Sequence, residues 1–176
     1  MNQNDLDTAK NPALPSGRTA LPWLLLAVLT IIADQASKAW ILGRFEEFET
    51  VTLLPVLDVS RWHNQGAAFS FLAGAGGWQR WLFTALAIVV SAVIVVWLKR
   101  LDGAQQRRLA AALTLVMGGA IGNVIDRIHH GYVVDFIVVH WQAHYFPAFN
   151  VADSCITIGA GLLILDALID GRGKKA

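Results

Sequence analysis

The sequence predicts an all-α membrane protein: four transmembrane helices with a small β-sheet on the extracytoplasmic side. Three observations predict it. Hydrophobic residues make up 55% of the 176 and charged residues only 15%, with a mean hydropathy of +0.49. That is not the balance of an ordinary soluble domain. Four apolar stretches approach or reach the ~20 residues a helix needs to cross a bilayer. Lys and Arg are divided unevenly between the segments joining those stretches, the pattern that sets membrane orientation.

Residues 1–20 are polar, hold Pro12, Pro15 and Gly17, and read as a flexible tail. The apolar segment after them is longer than a secretory signal core and carries Asp34 and Lys38, so it reads as a retained anchor. This first span covers about 21–42, with Pro22 in the first turn, where proline is tolerated. The second covers about 78–98. The third, about 109–125, holds Gly118, Gly119 and Gly122, small residues that let helices approach closely. The fourth covers about 150–169. Residues 21–170 form one membrane domain, and 171–176 form a short tail.

Nine basic residues (Lys10, Arg18, Lys99, Arg100, Arg107, Arg108, Arg172, Lys174, Lys175) fall on one side of these spans. Four (Arg44, Arg61, Arg80, Arg127) fall on the other. The positive-inside rule puts both termini in the cytoplasm. On the outer side, Thr50 to Trp62 is rich in Val, Leu and Thr and reads as one or two strands broken at Pro55, and Tyr132 to Val139 as another. The aromatic-rich segment from His140 to Pro147 belongs at the interface.

This topology gathers the polar residues. Asp34 and Lys38 lie in the outer half of span one, spaced i, i+4 on one face. Asn123, Asp126 and Arg127 fall at the outer end of span three, Asp135 in the loop after it, and Asn150 and Asp153 at the outer start of span four. Asn64 and Gly66 sit in the first outer loop. Each charge at a helix centre costs roughly 2.5–3.5 kcal/mol on insertion scales, so such groups are kept mostly for function. Simpler readings stand beside this one. Asp34–Lys38 reads as a structural ion pair, and Asp126–Arg127 as an adjacent pair anchoring a loop. Asn150 or Asp153 reads as a helix cap, and Asp135 as a strand end or turn.

Composition excludes other classes. A net charge of +1 with no basic stripe gives no nucleic-acid surface. The single cysteine, Cys155, excludes an intrachain disulfide and reads as a buried, inert thiol. The five histidines lack metal-site spacing, and adjacent His129 and His130 point in different directions, so no metal and no cofactor are expected. Gly74 to Gly77 lacks the Lys-Ser/Thr of a phosphate loop and reads as an ordinary loop. Two other functional classes fit buried aspartates: a small transporter or proton-relay protein, and a non-enzymatic assembly factor. A relay would spread acidic groups over several depths, whereas Asp34, Asp126, Asp135 and Asp153 share one, with Asp166 and Asp170 at the inner end of span four.

Five motifs carry a resemblance: Asp34-Gln-Ala-Ser-Lys38, Asn64-Gln-Gly-Ala-Ala-Phe-Ser70, Gly122-Asn-Val-Ile-Asp-Arg127, Val133-Val-Asp-Phe136 and Phe149-Asn-Val-Ala-Asp153. In this order, on a four-span chain, they resemble bacterial lipoprotein signal peptidase (signal peptidase II) over about 21–169. Gln65 departs from the Thr expected there. The resemblance implies a four-helix bundle with an extracytoplasmic sheet cradle in the inner membrane. It implies an aspartyl endopeptidase that cleaves prolipoproteins just before a diacylglyceryl-modified cysteine, with membrane lipid around it. Cyclic peptide antibiotics such as globomycin are the implied inhibitors. By motif, the catalytic pair falls on Asp135 and Asp153. Asn64, Gly66, Asn123, Arg127 and Asn150 fall near the substrate or the pair, and Asp34, Lys38 and Asp126 support them. Two close carboxylates share one proton. The ionised one activates water, and the protonated one serves as acid.

Overall fold

The computed structural model describes residues 19–66 and 76–173, with side chains to residue 169. Of the tails expected at 1–20 and 171–176, residues 1–18 and 174–176 lie outside the described residues, as do the Ala67–Ser70 and Gly74–Ala75 parts of two expected loops. The described parts of the tails are ordered, since Thr19 bridges Asp102, Ala20 is buried, and 171–173 continue the last helix.

Among the described residues, four helices are long and apolar enough to cross a membrane. A short 3-10 turn at Leu21–Trp23 carries Pro22 and leads into α1 (Leu24–Arg44). A hairpin follows, β1 (Thr50–Leu54) and β2 (Leu57–Asn64), turned at Pro55 and Val56. Next come α2 (Trp78–Arg100) and α3 (Arg107–His129). After them come β3 (Val133–Trp141), β4 (His144–Tyr145) and α4 (Val151–Gly173). The helices overrun their apolar cores by two to four residues. Gly76 and Gly77, both at positive φ, turn the chain into α2.

Polarity is inverted relative to a soluble protein. Leu25, Leu29 and Ile32 on α1, Val89 and Val93 on α2, and Ile164 and Leu168 on α4 are exposed, while Asp34, Lys38, Asn123 and Asp126 are buried. So large an exposed apolar belt suits lipid rather than water. Cys155, expected to be buried, is only partly so, on the first turns of α4.

Helix α3 is the most buried of the four, and its glycines explain how. A Cβ on Gly118 would sit 2.8 Å from Thr30 Cβ of α1, and one on Gly119 would collide with Ala152 O of α4. Helices approach this closely only where side chains are absent. At the end away from the sheet, Ala20, Ala27, Ile94, Leu98, Leu113 and Met117 form an apolar core.

The four strands form an antiparallel sheet in the order β1-β2-β3-β4. Val134 and Phe136 of β3 pack on Ile41 of α1 and seat the sheet on the bundle. The β3–β4 hairpin, with Gln142 at φ 54, takes up part of the segment read only as interfacial. Phe149 then pairs with Ile137 through hydrogen bonds of 2.8 and 3.0 Å. That pairing carries Asn150 and the start of α4 alongside Asp135.

Candidate active site

The site is assembled from α1, α3, β2, β3 and α4, at the sheet end of the bundle. Lys38 is its hub. The Nζ lies 2.8 Å from Asp34 Oδ2 and 2.9 Å from Asp126 Oδ2, and donates to Asn123 Oδ1 at 3.0 Å. An ammonium has three protons, and here each has a partner. The i, i+4 pair is therefore direct, and it is one arm of a larger network. Lys38 is 2% exposed and Asp34 0%. Charges so deep persist only when paired and hydrogen-bonded.

The two supporting carboxylates hold backbone. Asp34 Oδ1 accepts the N–H of Ala152 at 2.9 Å, and Asp126 Oδ2 accepts the N–H of Val134 at 3.0 Å. Ala152 precedes Asp153, and Val134 precedes Asp135. Gln35 Nε2 ties the pair together, donating to Asp126 Oδ1 at 2.9 Å and Asp34 Oδ2 at 3.2 Å.

Asn150 serves two purposes. Its Oδ1 accepts the N–H of Asp153 at 2.9 Å, the N-cap bond expected at a helix start. Its Nδ2 donates to Asp135 Oδ1 at 2.7 Å. Asn123 Nδ2 donates to Asp153 Oδ1 at 2.9 Å, and Asn64 Nδ2 to Asp135 Oδ2 at 2.9 Å. Gly66 N–H is held by Asn64 Oδ1 at 2.9 Å, and Gly66 O accepts from Arg127 Nη2 at 2.9 Å. Asp126 and Arg127 turn apart: Asp126 faces α1, and Arg127 lies 5.5 Å from the Phe83 ring centre on α2. The reading of an adjacent pair anchoring a loop gives way to two separate sets of partners, because consecutive helical side chains do not share a face.

Asp135 is buried in β3, outside the spans. Burial first, and the neighbouring Asp153 charge second, push its carboxyl up to about 7. Hydrogen bonds from Asn64 and Asn150 and the Lys38 charge act the other way. His63, next to Asn64, is lowered by burial against the raising effect of Glu47, 2.9 Å away. The rings of His129 and His130 were expected to diverge but lie 5.3 Å apart, because α3 ends between them.

Among the described residues, cavities open on the two aspartates from three sides. One of about 230 Å³ runs between α2, α3 and α4, lined by Phe83, Leu86, Val90, Asn123, Arg127 and Asp153. A second, about 400 Å³, lies along α4 between Phe146, Phe149 and Asp153. The third, about 370 Å³, lies beside the sheet, with Trp62, Asn64, Asp135 and Tyr145 in its wall. Apolar walls that converge on a few fixed polar groups are the usual form of a binding site.

The family model described as signal peptidase (SPase) II matches residues 26–169. The chain belongs to the signal peptidase II family. It is an aspartic peptidase of that family and a multi-pass membrane protein. It is 52% identical over 157 residues to the lipoprotein signal peptidase of Shewanella piezotolerans (strain WP3 / JCM 13877), covering 89% of this chain and 92% of that one. It is 58% identical over 150 residues to that of Pseudomonas fluorescens, covering 83% and 86%. Its fold is similar to a solved structure described as a bacterial membrane enzyme by the in meso method at 2.3 Å. That match has a TM-score of 0.78 and 32% identity over 87% of this chain and 91% of the other.

All ten residues singled out in the sequence meet at this one place. Sequence reasoning missed Gln35, Phe83 and the N–H groups of Val134 and Ala152. Gln35 stands next to Asp34 within a recognised motif, and a Gln in an apolar helix was the available signal.

Proposed function

We propose that the protein removes signal peptides from prolipoproteins, cutting before a diacylglyceryl-modified cysteine with a water activated by Asp135 and Asp153. The observation that carries this reading is the Asn150 side chain, whose amide holds Asp135 on one side and caps the turn bearing Asp153 on the other. One residue thus fixes both carboxylates where three cavities meet.

The pair shares a proton. Its ionised member takes a proton from water as the oxygen attacks the scissile carbonyl. Its protonated member hydrogen-bonds that carbonyl and later protonates the leaving amine. The proton belongs to the pair rather than to either residue. The apolar cavity between α2, α3 and α4 suits the signal segment. Near the scissile bond that segment must leave helical conformation, and Arg127, with Asn64 and Gly66, stands where freed backbone groups need partners. Asp34, Lys38 and Asp126 hold the frame, and the cyclic peptide antibiotic globomycin competes for the same space.

The substrate explains the location. Each buried CH₂ contributes roughly 0.8 kcal/mol, and two acyl chains give stable anchoring. A diacylated precursor therefore arrives by lateral diffusion, with its cleavage site at headgroup depth. The excess of Lys99, Arg100, Arg107 and Arg108 at the end away from the sheet supports cytoplasmic termini and a site near the outer face of a bacterial inner membrane.

Incubation of purified protein with a diacylglyceryl-modified precursor is expected to release a mature chain beginning at the modified cysteine, as read by mass spectrometry. An unmodified precursor is expected to stay intact. A cut elsewhere, or equal cleavage of both precursors, contradicts the reading.

A further inference from the structure

We propose that Lys38 is a positioning residue that sets which way the Asn123 amide faces, and so which kind of partner Asp153 receives. This rests on the reading of Asp135 and Asp153 as the reacting pair.

Lys38 donates and never accepts. Its third proton goes to Asn123 Oδ1 at 3.0 Å. The same oxygen accepts from Asn150 Nδ2 at 3.2 Å. Asn150 is itself oriented, since its Oδ1 is taken by the backbone N–H of Asp153. Rotating the Asn123 amide by half a turn would set its NH₂ against two donors. It would also aim an oxygen at Asp153 Oδ1, now 2.9 Å from Nδ2. Two oxygens facing each other need a proton between them. With Lys38 in place, Asp153 Oδ1 accepts a hydrogen bond without one, and the pair keeps its single shared proton for the reaction. Lys38 does this through Asn123, at the cost of burying its charge between Asp34 and Asp126.

The charged groups packed around this amide are Asp34 and Lys38 on α1, Asp126 and Arg127 on α3, Asp135 on β3 and Asp153 on α4.

The decisive variant is Asn123→Asp, which keeps the size of the side chain and leaves Lys38 with its carboxylates. It aims an oxygen at Asp153 and so demands an extra proton. Cleavage of the diacylated precursor is expected to keep its KM within about twofold, to lose roughly tenfold or more in kcat at pH 7, and to recover toward acid pH. In Lys38→Met, kcat is expected to fall by roughly 10²-fold with KM held. If that variant does not fold, Lys38→Gln takes its place, with the same fall in kcat at held KM expected, while Asn123→Asp tests the link from Asn123 to Asp153.

A merely structural role would lower the folded fraction at every pH and leave the profile in place. An Asn123→Asp enzyme with the wild-type profile overturns the proposal, as does one inactive at every pH or a folded Lys38→Met enzyme with wild-type kcat. Asp135→Asn and Asp153→Asn run alongside. Activity surviving in either of these sinks the reacting pair itself. Inactivity in both, with an unmoved Asn123→Asp profile, sinks only the role of Lys38.

Discussion

Asp34 accepts the backbone N–H of Ala152 at 2.9 Å, so a carboxylate of the first helix holds the residue next to Asp153 in the last. Asp126 does the same for Val134, next to Asp135. Lys38 bridges the two carboxylates. The reacting groups proposed here thus sit on two backbone segments tied to one ammonium. A frame of buried, mutually paired charges that fixes the backbone on both sides is what preorganisation of a site requires.

The frame leaves no room at Gly122. A Cβ there would lie 2.6 Å from Oδ2 of Asp34, whose carboxylate is held by Lys38 through Oδ2 and by the Ala152 N–H through Oδ1. Gly122→Ala is expected to destabilise by roughly 1–3 kcal/mol, as overpacking does, and to lower activity with it. Gly161→Ala, whose Cβ meets nothing within 4 Å, is the control. It is expected to lie within about 0.5 kcal/mol of wild type in thermal unfolding in detergent. Equal effects at the two glycines would contradict the account.

Activity is expected to fall as pH rises through about 7, where the pair gives up its shared proton, because burial and then the Asp153 charge push the Asp135 carboxyl up to about 7. Asn64 donates to Asp135 Oδ2 and thereby favours the ionised form. Asn64→Leu removes that donor, so the alkaline limb of the kcat/KM profile is expected to move to higher pH. An unmoved or lowered limb contradicts the placement of Asn64 beside the reacting carboxyl.

Stability carries the same signature. Asp135 titrates near 3.9 in an unfolded chain and at about 7 in the fold. With the folded value raised, the stability present below the unfolded value is lost as pH rises through the folded one. Asp135→Asn does not titrate. Its unfolding free energy minus that of wild type is expected to grow between pH 4 and pH 7, by on the order of 4 kcal/mol, and to be flat above. A difference independent of pH would show that burial does not hold this carboxyl protonated.

Much of this fold is legible in the sequence because lipid imposes simple rules. A span must be long and apolar, so all four helices are visible, with ends extended by polar residues such as Lys99, Arg107 and Asp126 that hydropathy cannot count. Charge asymmetry and helical spacing bring Asp34, Lys38, Asn123 and Asp126 to one depth and face. The rest depends on partners that leave no trace in residue type. Nothing marks Val134 and Ala152 as donors, since every such residue has an N–H. Asn150 reads as a cap, and its second bond to Asp135 exists only because Phe149 pairs with β3. The two-residue strand β4 is too short to be distinguished from an aromatic belt.

The central claim is that Asp135 and Asp153 act as one pair on one water. The most direct measurement is cleavage of a diacylglyceryl-modified prolipoprotein by purified wild type, Asp135→Asn and Asp153→Asn, each with thermal unfolding recorded in the same detergent. The account predicts cleavage by wild type and near-complete loss in both variants, with both still folded. Cleavage at a wild-type rate by either folded variant would contradict it.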